Sequence, residues 1–169
     1  MDKSVIPECY MDTNLLETLV PPAKRNNQQG YNHQKGCGTV ASRMQKQFSD
    51  RFAIGIIDKD KQEVDYLKEF KQEIDTGSLI LHKHQNKHHY IIQISPAIER
   101  FILKNAAEVG VHVADFDLPV DFAQFKKVAK TGNSKNDYRF KNLFRAIVEN
   151  SATDFLRLAN WIIYLKEKN

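Results

Sequence analysis

Carboxylates stand at the ends of three apolar runs in this sequence. Glu8 closes Val5-Ile6-Pro7, Asp58 and Asp60 follow the run at 52–57, and Glu99 comes just after the run at 90–94. Asp12 lies four residues beyond Glu8. An all-oxygen donor set suits a hard divalent cation, because magnesium takes oxygen ligands, keeps several waters and needs only one or two carboxylates. Two such ions about 3.5–4 Å apart can hold both the attacking and the leaving oxygen of a phosphodiester. An Asp-x-Asp is also ordinary turn chemistry, and Asp60 suits the approach to a helix. Glu8 and Glu99, at the ends of other runs, favour the metal reading.

Carboxylates from separate strands can meet only if those strands share an edge, and open α/β sheets bind ligands outside the carboxyl ends of their strands. The hydrophobic pattern predicts such a sheet. A strand at 3–8 leads to a helix with Leu15, Leu16 and Leu19 at helical spacing, Asp12 or Thr13 as N-cap, and Pro21-Pro22 as its stop. A second helix is predicted from Gly38 or Thr39 to Phe48, with Val40, Met44 and Phe48 on one face. Then come a strand at 52–57, a charged helix at 63–74 presenting Val64, Leu67 and Phe70, and two β-like runs at 79–82 and 90–94. Pro96 is placed as the first residue of a helix that closes at Gly110. Three amphipathic helices at 120–130, 136–149 and 153–166 complete the chain. The expected fold class is α/β, a mostly parallel sheet flanked by helices (1–112), with a C-terminal helical extension (113–169) packed on it.

Composition narrows the function classes. The 169 residues are 41% hydrophobic and 27% charged, the balance of a globular chain with a real core. Two cysteines, Cys9 and Cys37, supply neither a disulfide framework nor a zinc cage. No apolar run is long enough to span a bilayer and no leader opens the sequence, so the expectation is a soluble, cytoplasmic protein without membrane partners. A net charge of +4 is compatible with a polyanionic partner. Lys24, Arg25 and Lys35 in the polar loop, and Lys83 and Lys87 beside the histidine-rich turn, are the candidate contacts to a nucleic-acid backbone. His82, His84, His88 and His89 read as an exposed basic hairpin tip rather than a zinc site, and Cys37 as structural.

The acidic runs carry a resemblance. VIPECYMDTNLLETL is similar to the first motif of TOPRIM domains, where an apolar strand ends in glutamate before a turn, an acidic residue and a helix. AIGIIDKDK resembles the second motif, a strand ending in Asp-x-Asp, and IQISPAIERFIL looks like a segment of the TOPRIM domains of overcoming-lysogenization-defect nucleases. The resemblance covers residues 3–104. It implies that Glu8 is a general acid or base, that Asp58 and Asp60 bind Mg²⁺ or Mn²⁺, that Glu99 supports them, and that Asp12 assists. Cys9 stands where the family usually has a glycine that permits a tight turn, and Pro7 withholds a ladder hydrogen bond expected of an inner strand.

The implied activity is metal-dependent hydrolysis or transfer at nucleic-acid phosphodiesters, with an ATPase as a possible protein partner. The alternative is a catalytically silent binding module of a multi-protein defence or repair complex. Two other resemblances fit less well. The nucleophile motif of haloacid-dehalogenase-type phosphatases continues with threonine or valine, where this chain has Lys61. A receiver domain needs a lysine at a strand end, whereas Lys104 lies in a helical pattern.

Overall fold

The computed structural model describes residues 2–22, 30–59 and 64–169. Their order is β1 (Val5–Pro7), α1 (Tyr10–Leu19), α2 (Cys37–Arg43) continued by a π-helical turn (Met44–Phe48), β2 (Ala53–Asp58), a 3₁₀ turn (Asp65–Glu69), β3 (Phe70–Asp75), β4 (Leu79–His84), β5 (His89–Ile94) and α3 (Ile98–Glu108). Then follow α4 (Phe122–Ala129), α5 (Tyr138–Glu149) and α6 (Thr153–Lys168), with short 3₁₀ turns at Val113–Phe116 and Gly132–Asn136. The chain is α/β, and no helix among the described residues is long and apolar enough to cross a membrane.

The five strands form one sheet in the order β1-β2-β5-β4-β3. β1, β2 and β5 run parallel, whereas β4 and β3 join antiparallel, so the sheet is mixed rather than mostly parallel. The difference arises at 63–74, where a helix was expected. Val64 caps a 3₁₀ turn that contains Leu67 instead, and residues from Phe70 onward pair with β4 as an edge strand. Three-residue spacing of apolar side chains suits a 3₁₀ turn as well as an α-helix. After Phe70 this strand is exposed throughout, and its Lys71, Glu73 and Asp75 blunt an open edge.

β2 and β5 are buried along their whole length, as strands covered on both faces must be. One face packs Ile54, Ile56, Ile92 and Ile94 against α1, α3 and all three C-terminal helices in a single core. The other packs Ala53, Ile57 and Ile91 against Val40, Met44 and Phe48 of the α2 segment and against Tyr66 and Phe70. Gly55 allows that close approach, since a Cβ there would sit 2.9 Å from both Val40 Cγ1 and Met44 Sδ. The helical extension therefore shares the sheet's own core. Lys166 of α6 reaches back to Asp2 in a 2.6 Å ion pair beside β1.

β1 is an edge strand, which accommodates Pro7. Ser4, Ile6 and Glu8 face β2, while the carbonyls of Val5 and Pro7 accept from Asn32 and Gln34 on the other side. The N–H that proline lacks belongs to that outer side. Two helix starts also differ from expectation. α1 begins at Tyr10 with Cys9 as N-cap, ahead of Asp12 and Thr13. α3 begins at Ile98 with Ala97 as N-cap, so Pro96 precedes the helix instead of opening it.

Candidate functional site

The parallel strands end together, and their register brings the acidic residues to one edge. Ile6 pairs with Gly55 and Asp58 with Ile94, so Glu8, Asp58 and the start of α3 follow consecutive strands on the same side. Glu8 is 1% exposed, and its Oε2 accepts the Asp58 N–H at 3.0 Å. Asp58 passes the connection on, because its Oδ1 accepts the Ile98 N–H at 3.0 Å, at the first residue of α3. The end of β1 is thus hydrogen-bonded to the end of β2, and the end of β2 to the helix that carries Glu99.

Asp12 has a distinct task. Its Oδ2 accepts the Cys9 N–H at 3.0 Å, while its own N–H donates to Cys9 Sγ at 3.3 Å. This is a capping box with a thiol in place of the usual hydroxyl. Cys9 has φ −136° and ψ 173°, an extended backbone open to any residue, so this turn does not require the expected glycine. Burial, followed by the charges of Asp12 and Asp58, pushes the Cys9 thiol pKa far upward and keeps it protonated. It is no thiolate nucleophile.

At this edge lies a cavity of about 270 Å³. Cys9, Tyr10 and Met11 form one side of it, Asp58, Ile98 and Glu99 another, and Lys126, Ala129 and Lys130 of α4 a third. Asp58 and Glu99 therefore face common space although each is at least 90% buried. α4 is held over the edge by Phe125 and Ala129, both in the core, and by the Arg100 guanidinium, 4.4 Å from the centre of the Phe122 ring. Sequence reasoning missed Lys126 and Lys130. Their signal is the apolar pair Phe125 and Ala129, which fixes the lysines at the border of α4's buried face.

The donor chemistry fits a hard cation. Asp58 and Glu99 both line one cavity, and Mg²⁺ takes one or two carboxylates with water on its remaining positions. Among the described residues no group of three or more His, Cys, Asp or Glu side chains is arranged to hold a metal, so no closed cage is formed by them. Asp60 lies outside the described residues.

The expected nucleic-acid contacts separate. Lys24 and Arg25 fall outside the described residues. Lys35 is exposed on the segment that follows β1, where Gln34 N–H donates to the Pro7 carbonyl and Gly36 N–H to that of Glu8, so it flanks the acidic edge. The neighbouring His33 stacks on Tyr10 with ring centres 4.2 Å apart. Burial, then Lys135 and Lys35, lowers its pKa. Lys83 and Lys87 lie near the other end of the sheet, because the β4–β5 turn precedes β5 while Asp58 is level with its last residue. The five steps of β5 span about 17 Å.

The histidine-rich turn is exposed at Lys83, Gln85, Asn86 and His88, but most of its histidines are not part of that tip. His82, His84 and His89 are buried, and only His88 is exposed. His84 Nδ1 accepts from the N–H groups of Asn86 and Lys87, leaving its Nε2–H for Glu69 at 3.0 Å. Tyr66 Oη lies 2.6 Å from His89 Nδ1, and His82 Nε2 lies 2.7 Å from Gln93 Oε1. His82 and His84 are thus hydrogen-bonded within the fold, whereas His89 Nε2 is buried without a hydrogen-bond partner among the described residues. Lys104 sits inside α3 and pairs with Asp154 at 3.3 Å, so it is not at a strand end as a receiver-type site requires.

No protein-family model matches this chain, and neither a curated protein nor a solved structure matches it.

Proposed function

We propose that this chain binds Mg²⁺ or Mn²⁺ at a TOPRIM-like acidic edge and acts on nucleic-acid phosphodiesters there. The observation that carries this reading is the sharing of one cavity by two buried carboxylate residues, Asp58 and Glu99, whose lining also includes two lysines. In it, Asp58 and Glu99 hold the cation, with Asp60, two residues beyond Asp58 in sequence, proposed as a further ligand. Glu8, hydrogen-bonded to the Asp58 N–H, is the acid or base. Asp12 holds the turn between Glu8 and α1. A bound divalent cation would supply electrostatic stabilisation of charge developing on a phosphoryl oxygen. The residues bind and orient the phosphodiester, and the covered edge limits water to what the cavity admits.

A second reading has its own support. Glu8 and Asp58 each give a carboxylate oxygen to a backbone N–H, which is a structural use of both groups. A catalytically silent module that binds nucleic acid, or a protein partner such as an ATPase, would keep these bonds.

Calorimetric titration of Mg²⁺ and Mn²⁺ into the protein and into Asp58→Asn, with cleavage assays on labelled single- and double-stranded DNA and RNA, separates the two. The enzyme reading expects metal binding lost in the variant and cleavage reduced at least a hundredfold. Metal or nucleic-acid binding without cleavage favours the silent module. Absence of both metal binding and cleavage removes the enzyme reading.

A further inference from the structure

The cavity has an anionic wall and a cationic one, and only the first is accounted for by a metal. Lys126 in the last turn of α4 and Lys130 at its C-cap, still in helical conformation, are four residues apart, a spacing that puts both side chains on the same side. Ala129, buried to 2% exposure, lies next to Lys130 and leaves room that a larger side chain would fill. Among the described residues neither lysine makes an ion pair, in contrast to Lys104 and Lys166, which are committed to Asp154 and Asp2. α1 and α3 also begin at this cavity: Tyr10 and Met11, and Ile98 and Glu99, are the first two residues of these helices of 10 and 11 residues. Helix N-termini add positive potential from the same direction. Lysines in a last helical turn also suit the helix's own dipole, but that applies equally to Lys127, which unlike half-buried Lys126 and exposed Lys130 does not line the cavity.

We propose that α4 supplies a phosphate-holding wall, with Lys126 and Lys130 gripping the terminal phosphate of a nucleic-acid strand. The identity of the ligand as nucleic acid rests on the function proposed above, whereas the anion site itself stands on the lysines and the cavity. Size sets the substrate class. A volume of about 270 Å³ is at the lower end of small-ligand pockets. A phosphate with its sugar fits in that space, and a paired duplex does not, so the group inside belongs to a strand end or an unpaired nucleotide. The C-terminal helices thereby complete the site: the sheet brings the carboxylates, and α4 brings the cations that allow a phosphate to approach them.

The test is titration of 5′-phosphorylated dithymidylate and of its unphosphorylated form into the full chain in EDTA, with circular dichroism confirming that each variant is folded. The phosphorylated form is expected to bind more tightly. Lys126→Ala combined with Lys130→Ala should weaken it about tenfold or more, the loss of charge-assisted hydrogen bonds. Lys127→Ala should leave it unchanged. Equal binding of the two dinucleotides, no binding of either, or an equal loss in Lys127→Ala overturns the proposal. Because EDTA removes divalent cations, retained phosphate binding in a protein that fails to bind Mg²⁺ sinks the metal reading alone. Mg²⁺ binding together with indifference to the two lysines sinks this one alone.

Discussion

Cys9 shows how one side chain can serve geometry without serving chemistry. It follows Glu8 directly, lines the cavity and has Asp58 nearby, yet burial and two neighbouring carboxylates hold its sulfur protonated. Its sulfur accepts the Asp12 N–H, and this fixes where α1 starts and therefore where Glu8 ends. Serine is a preferred N-cap, so Cys9→Ser is expected to preserve stability, whereas Cys9→Ala should cost about 1 kcal/mol. Urea denaturation of both variants checks this. In the same protein, Cys9 should resist alkylation by iodoacetamide at pH 8, measured by mass spectrometry of the modified peptides. A rapidly alkylated Cys9 would contradict the environment described for it.

At the scale of elements, the packing of α2 on the sheet depends on Gly55. Methyl addition there brings a carbon to 2.9 Å from the stiff Val40 and the more yielding Met44. Gly55→Ala is expected to destabilise the fold by about 1–3 kcal/mol through overpacking, read as a lower denaturant midpoint with an unchanged slope. This close approach was not legible in AIGIID, where a glycine in a strand signals only that something comes near. The parallel strands and the five helices α1, α3, α4, α5 and α6 were legible, because long apolar periodicities leave few alternatives. β3 was not, because Val64, Leu67 and Phe70 repeat at three residues and what settles the matter is pairing with β4, across separations of 5 to 14 residues. The acidic edge was legible as strand ends. Its basic wall was hidden, since α4 is distant in sequence and is brought over the edge by core packing at Phe125 and Ala129.

At the scale of the whole molecule, the C-terminal helices and the sheet are one cooperative unit. Phe101 of α3 stacks on Phe155 of α6 with ring centres 5.4 Å apart and planes 7° from parallel. Phe155→Ala is expected to cost about 3–5 kcal/mol. The fragment 1–112 should show no cooperative unfolding transition by circular dichroism, because its core face would be bare. The molecule should also lose stability in mild acid. Burial, then the charges of His84 and Lys87, lowers the His89 pKa to about 4 from 6.5. Between these values the unfolded chain binds the proton and the folded one does not, so the contribution is whole above pH ~6.5 and falls as the pH drops toward ~4. The slope from this one group is at most about 1.4 kcal/mol per pH unit. His33 and His82, both lowered first by burial, act in the same direction. Urea midpoints at pH 7.5, 6 and 5 should decline in that order, and His89→Gln should flatten the decline.

The ion pair between Asp2 and Lys166 joins residues 164 positions apart, so the segment before β1 and the last turn of α6 are expected to fray together rather than independently.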